Sequence, residues 1–234
     1  MSAGSLPPFW VVIPAAGVGS RMQADRPKQY LALAGRAIIE HTLDCFLNHP
    51  ALLSVVVVLA PADPYWPTLA CAQDARVARA DGGSERADSV LAGLQRLQAL
   101  GARQQDWVLV HDAARPNLAA SDLDRLLAEL ADDPVGGLLG VPARDTLKRV
   151  GGDGRVVETV DRSVIWQAYT PQMFRLGPLH EALSASLQAG AAITDEASAV
   201  EWAGRSPRLV EGRADNLKIT RPEDLQWLAQ RWTP

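Results

Sequence analysis

Leu53 to Leu59 reads LSVVVVL, a nearly unbroken apolar run with four consecutive valines. Successive side chains of a strand point to opposite faces. A run that does not alternate must therefore be covered on both sides. That is the requirement of a strand inside a parallel sheet with helices packed above and below.

The flanking sequence supplies such neighbours in a repeating order. Val11 to Ile13 is a second β-branched run, Ile38 to Asn48 carries apolar residues at helical spacing, and Pro50 lies just beyond it. Asp63 to Gln73 is expected to be helical, Arg76 to Ala80 a short strand, and Ser84 the cap of a helix from Glu85 to Leu100 that Gly101 ends. Trp107 to Val110 is then a strand, Ser121 caps a helix through Ala131, and Val135 to Val141 is a strand weakened by Gly136 and Gly137. Later come a strand ending at Gln172 to Phe174, a helix from Leu176 to Ala189, a helix capped by Thr194, strands at Arg208 to Val210 and Asn216 to Thr220, and a final helix from Pro222. This alternation predicts an α/β fold, an open and mostly parallel sheet with helices on both faces. At 234 residues and 47% hydrophobic, the chain suits one such domain over 1–234.

One stretch breaks the rhythm. Thr146 to Val150 and Arg155 to Val160 alternate polar and apolar residues about Gly151-Gly152-Asp153-Gly154, a hairpin signal. A hairpin with so little apolar area is marginal alone, so 144–166 is expected to project as an arm that packs on a second subunit.

Val11 to Lys28, VVIPAAGVGSRMQADRPK, runs from a buried strand into a loop suited to an anion. Gly17 and Gly19 free consecutive backbone N–H groups to converge on phosphate oxygens, and Arg21 and Lys28 add positive charge. The stretch has neither the Gly-Lys-Ser/Thr ending of a Walker loop nor the third glycine of the dinucleotide fingerprint, where Met22 stands. Taken alone it reads equally as an anion site or an ordinary β-to-α turn. A net charge of −4 argues against general nucleic-acid binding, so a polyanionic ligand must meet a local cluster of cations. Cys45 and Cys71 make no metal spacing and read as reduced core residues. The N-terminus lacks the basic and apolar regions of a targeting signal, and no run is long enough to span a bilayer. A soluble, cytoplasmic protein is expected, with no nucleic-acid or membrane partner.

Ligands of open α/β sheets bind beyond the carboxyl ends of the strands. Asp112, directly after a strand, has the position and hard oxygen of a Mg²⁺ ligand, or serves as a helix cap or ion-pair partner of Arg115. His111 could be a base or a ligand, and reads first as a buried, hydrogen-bonded histidine. Gly82-Gly83 with Ser89 is either a turn or a place where the backbone meets a base. Thr194-Asp195-Glu196 reads as a cap with acids favouring the helix dipole, and Lys218 as an exposed strand residue.

Together PAAGVGSRM with PKQY, GGSERADSV, VHDAARP, Asp145-Thr146, Val160 to Arg162, TPQ, ITDEAS, and VEGRADNLKIT with RPEDL resemble the 2-C-methyl-D-erythritol 4-phosphate cytidylyltransferases. The blocks occur in that family's order from about Phe9 to Leu228. The resemblance implies a Rossmann-like nucleotidyltransferase fold, CTP and methylerythritol phosphate as substrates, Mg²⁺, and a homodimer whose arm completes the neighbour's site. It also implies roles: Arg21, Lys28 and Lys218 catalytic around the transferring phosphate; Ala15, Ala16, Gly17, Gly19, Gly83 and Ser89 at CTP; Asp112 on the metal. Arg115, Thr146, Arg162 and Thr194 would meet the sugar phosphate, Thr146 and Arg162 from the partner subunit. Tyr169 stands where the family more often has Gln. The competing readings are transfer to another polyol phosphate such as ribitol phosphate, and a nucleotide-binding regulatory protein without turnover. Preference for CTP over UTP comes from the resemblance, not from residue types.

Overall fold

The structure, a computed structural model, describes residues 6–17, 22 and 24–232. Its strands are β1 (Phe9–Pro14), β2 (Ala32–Leu33), β3 (Arg36–Ala37), β4 (Leu52–Leu59), β5 (Val77–Asp81), β6 (Trp107–Val110), β7 (Gly136–Pro142), β8 (Leu147–Val150), β9 (Val156–Val160), β10 (Trp166–Arg175) and β11 (Arg208–Glu211). The helices are α1 (Ile38–Leu47), α2 (Arg86–Ala99), α3 (Ala120–Leu130), α4 (Leu176–Gln188), α5 (Glu196–Trp202) and α6 (Pro222–Arg231).

Seven strands form one sheet in the order β11-β7-β10-β6-β1-β4-β5. The valine run of β4 lies between β1 and β5, parallel to both, as its two-sided apolarity requires. Side chains sort by parity. Val11 and Ile13 of β1, with Val55 and Val57 of β4, join Leu43 and Phe46 of α1 and Leu123 and Leu127 of α3 in one buried cluster. Val12, Val56 and Val58 face the opposite way, onto Val90 and Leu94 of α2 and Leu179 and Leu183 of α4. Each fully buried side chain of this size contributes roughly 1.5–3 kcal/mol from burial. A Cβ on Gly93 would stand 2.5 Å from Val12 Cγ1, so its absence lets α2 lie close against β1.

β10 departs from the parallel pattern. It runs antiparallel between β6 and β7, with a register shift between Ala168 and Gln172. Because it runs the other way, its middle rather than its end reaches the carboxyl edge, where Thr170 meets Asp112. The arm is a separate two-stranded ribbon of β8 and β9, with Val156 and Val157 exposed.

Several local expectations are corrected. Asp63 to Gln73 forms two short 3₁₀ turns, Trp66–Thr68 and Ala70–Gln73, because Pro67 interrupts it and Asp63 Oδ1 accepts from the N–H groups of Tyr65 and Trp66. Glu85, not Ser84, is the N-cap of α2; the Ser84 hydroxyl instead donates to Asp88. Ala119 precedes α3 and Ser121 lies inside it. Asp195, not Thr194, caps α5, accepting from the Ser198 N–H at 2.9 Å. Asn216 to Thr220 pairs with no strand; its polar backbone groups are taken by Lys28, Ala114 and Arg115 instead.

Candidate active site

The carboxyl ends of β1, β4, β5 and β6 open on one edge of the sheet, and Asp112 is the centre of what gathers there. It follows β6, is 7% exposed, and its N–H donates to Thr170 Oγ1 at 3.1 Å. Its carboxylate meets three cations: Arg86 Nε at 3.3 Å on Oδ1, and Arg115 Nε at 3.3 Å and Lys218 Nζ at 2.9 Å on Oδ2. Burial would raise the Asp112 carboxyl, but Arg86, Lys218 and Arg115 outweigh it and hold the group well below the usual carboxylate range.

Arg86 stands in the first turn of α2 and is gripped from behind. Its guanidinium forms a two-pronged pair with Glu196, 2.6 and 3.2 Å, across 110 residues of sequence. Burial disfavours its charge, yet Glu196 and Asp112 together raise its pKa above the ordinary arginine value. Glu196 itself is 1% exposed, so the acid expected to serve a helix dipole is a buried counter-ion. Arg115 donates from Nη1 to the Asn216 carbonyl at 2.7 Å and lies over the Tyr169 ring at 4.6 Å. Burial pulls its pKa down despite Asp112.

Two clefts meet at this cluster. The larger, about 480 Å³, is lined by Ala15, Gly17, Lys28 and Gln29 on one side and Glu85, Arg86, Asp112 and Lys218 on the other. The smaller, about 190 Å³, is lined by Arg115, Tyr169, Thr170, Thr194 and again Arg86, Asp112 and Lys218. Lys28 reaches the large cleft from the turn after Pro27, its Nζ donating to the Ile219 carbonyl at 2.9 Å. Gln29 closes the base of the loop by donating to Ala15 O at 2.7 Å.

The structure therefore brings together Ala15, Gly17, Lys28, Asp112, Arg115, Thr194 and Lys218. Ala16 does not line the large cleft; a Cβ on Gly82 would stand 2.5 Å from its own. Gly83 passes so close to Asp88 that a side chain there would collide with it. Ser89 is buried with its hydroxyl turned onto the Glu85 carbonyl at 3.1 Å. Thr146 and Arg162 lie on the exposed arm and line neither cleft; Arg162 donates to Arg144 O. Gly19 and Arg21 fall outside the described residues. Lys218 is a paired cation of the cluster rather than an exposed strand residue.

Both ring nitrogens of His111 are engaged within the protein. The residue is fully buried. Nε2 faces the Arg115 carbonyl, which can only accept, so Nε2 carries the proton and Nδ1 accepts from the Thr170 hydroxyl. Burial lowers its pKa to about 4.

Among the described residues no group of three or more His, Cys, Asp or Glu could hold a metal. One ionised carboxylate at the cleft wall fits a Mg²⁺ that arrives on a polyphosphate and takes few protein ligands, provided Asp112 gives up part of its pairing with Arg86, Arg115 or Lys218. It does not fit a metal held by protein alone.

A buried ion cluster is a poor stabiliser, because desolvation offsets its attraction. Its position where two clefts join points instead to chemistry between two anions. The residues missed by sequence reasoning are Arg86, Glu85, Gln29 and Glu196. The only available signal for Arg86 was its place just after Gly82-Gly83 at a helix start beyond a strand.

Known proteins of one description resemble this chain over nearly its whole length. A family model described as 2-C-methyl-D-erythritol 4-phosphate cytidylyltransferase matches residues 9–231. A protein of that name from Ectopseudomonas mendocina is 75% identical over 224 residues, covering 96% of this chain and 95% of its own. One from Pseudomonas fluorescens SBW25 is 73% identical over 227 residues, covering 97% of each. The crystal structure of the Francisella tularensis protein of the same name is 34% identical, superposes with a TM-score of 0.84, and covers 96% of this chain and all of its own.

Proposed function

The chain belongs to the 2-C-methyl-D-erythritol 4-phosphate cytidylyltransferase family, and we propose that the two clefts meeting at Asp112 are where its reaction takes place. That reaction joins the cytidylyl group of CTP to 2-C-methyl-D-erythritol 4-phosphate, giving CDP-methylerythritol and pyrophosphate in non-mevalonate isoprenoid synthesis. The observation that carries the placement is the shared wall: Arg86, Asp112 and Lys218 line both clefts.

CTP lies in the larger cleft, its base toward Ala15, with Ala16, Gly83 and Ser89 outside that cleft's lining, and the acceptor in the smaller one with Arg115 and Thr194. The second pKa of a phosphate monoester is about 6, so the acceptor's phosphate is already a nucleophile and needs no base. One of its oxygens bonds to the α-phosphorus as the α–β bridging P–O bond breaks, and pyrophosphate leaves with the electron pair. Two anions must approach, so the barrier is electrostatic and is lowered by alignment and charge. Lys28 and Lys218 act as compact point charges and Arg86 as a planar fork fixed by Glu196. Arg21 and the amides of Gly17 and Gly19 complete the cradle.

We place Mg²⁺ on Asp112, delivered with the nucleotide; when bound it neutralises charge on the departing pyrophosphate. A homodimer is supported by the arm. Thr146 and Arg162 line neither cleft of their own chain, and Val150, Val156, Val157 and the 75% exposed Val164 leave apolar side chains uncovered on and beside the arm. We place these residues at the partner's acceptor cleft. The unpaired Cys45 and Cys71 accord with a reducing, cytoplasmic compartment.

The test is pyrophosphate release in Mg²⁺ with each nucleoside triphosphate, alone, with methylerythritol phosphate and with ribitol phosphate. Release is expected only with CTP and methylerythritol phosphate together. Release driven by ribitol phosphate would reassign the acceptor, and binding of CTP without release under any condition would make the protein a sensor.

A further inference from the structure

The segment between β11 and α6 runs past Asp112 without strand pairing, and one residue in it is joined to two of the segments that build the cation site. The Ile219 N–H donates to the Ala114 carbonyl at 2.8 Å, tying it to the turn that carries Asp112. Its carbonyl accepts from Lys28 Nζ at 2.9 Å. Its side chain is fully buried in a small cluster apart from the two main cores, with Met22, Leu33, Ile38, Ala114 and Leu228. Met22 belongs to the glycine loop and follows Arg21 in sequence. Lys218, the adjacent residue, reaches Asp112 at 2.9 Å.

We propose that Ile219 is a positioning residue for cytidylyl transfer, a joint that sets where Lys28 and Lys218 stand relative to Asp112. Lysine is a point charge on a flexible stem, so its place is decided by what holds the ammonium. For Lys28 one such holder is a backbone carbonyl, and that carbonyl goes where the packing of its own residue puts it. Isoleucine suits the task because its branched Cβ restricts χ1 and a close-packed neighbourhood transmits small shifts instead of absorbing them. Truncation to alanine leaves a cavity that Met22 and Leu228 can collapse into, moving the carbonyl and with it Lys28. The inference rests on the reading of Lys28 and Lys218 as phosphate-facing cations, and adds that their spacing is set from α6 and the segment before it.

A merely structural Ile219 would lower stability and nothing else. The experiment is therefore a double-mutant cycle of Ile219→Ala with Lys28→Ala, measured below the melting temperature of each variant. Ile219→Val tests rescue, and Leu97→Ala, a buried truncation near the far end of α2, serves as control. Ile219→Ala is expected to lower kcat about tenfold to a hundredfold, the usual cost of sub-ångström to ångström misplacement. Ile219→Val should recover most of that, and Leu97→Ala should lose stability with kcat and KM unchanged. Because Ile219 acts in part through Lys28, the double variant should be less slow than the product of the two single losses. A folded Ile219→Ala with native kcat and KM overturns the proposal, as does a kcat loss that multiplies independently onto that of Lys28→Ala. Should Ile219→Ala fail to fold, Met22→Ala in the same cycle decides by the same criterion. If Lys28→Ala and Lys218→Ala themselves turn over normally, it is the underlying placement of the cations that fails.

Discussion

At Asp112 a single carboxylate holds an arginine fork, a second buried arginine and a lysine, and the differences between these cations set their uses. Arg86 bonds Glu196 through two nitrogens and Asp112 through a third. A lysine there keeps the charge but cannot span both acids. Arg86→Lys is therefore expected to lower kcat about 10- to 100-fold while the protein remains folded, and Lys28→Ala or Arg21→Ala to lower it by about two orders of magnitude or more. Steady-state rates at saturating CTP and acceptor check this; near-native kcat in any of the three removes that residue from the machinery. Asp112, Lys28 and Arg115 were legible in the sequence because each sits in a polar segment just after a strand. Arg86 was not, since a charged residue in a helix's first turn ordinarily faces water. Nothing in local spacing reveals that Glu196, 110 residues away, grips it from behind and turns it toward Asp112.

Among the elements, the central strands were the most readable, because parity and β-branching leave β1, β4 and β6 one arrangement. Caps were less so. Ser84, Ser121 and Thr194 all have N-cap chemistry, but the neighbouring Glu85, Ala119 and Asp195 occupy the caps, and side-chain type alone does not choose between adjacent candidates. Asn216 to Thr220 has strand-like composition, yet its backbone groups serve Lys28, Arg115 and Ala114, a demand only tertiary structure creates. The arm formed by β8 and β9 is the element whose role reaches beyond its own chain. If Thr146 and Arg162 serve the partner's site, a subunit carrying Arg162→Ala mixed with one carrying Lys28→Ala should form dimers with one intact site and regain activity that neither homodimer has. Mixed dimers shown to form but as inactive as their parents would confine the site to one chain.

Across the whole molecule, the sheet order brings the ends of β1, β5 and β6 to one edge, and the reversed β10 adds Thr170 and Tyr169 to it. The large cleft forms where β1 and β6 diverge into their loops, the small one where β10 and the start of α5 close on Arg115. Both lie at the carboxyl edge that the parallel pattern predicts. Their junction at a buried cation cluster depends on Arg86, Arg115 and Lys218 arriving from three distant segments. The placement of the reaction is tested most directly by a crystal structure of the protein with CTP. The α-phosphate is predicted at the junction of the two clefts, between Lys28 and Lys218 beside Arg86, with the base toward Ala15. A triphosphate bound away from Asp112, or one whose α-phosphate is turned from the small cleft, would contradict it.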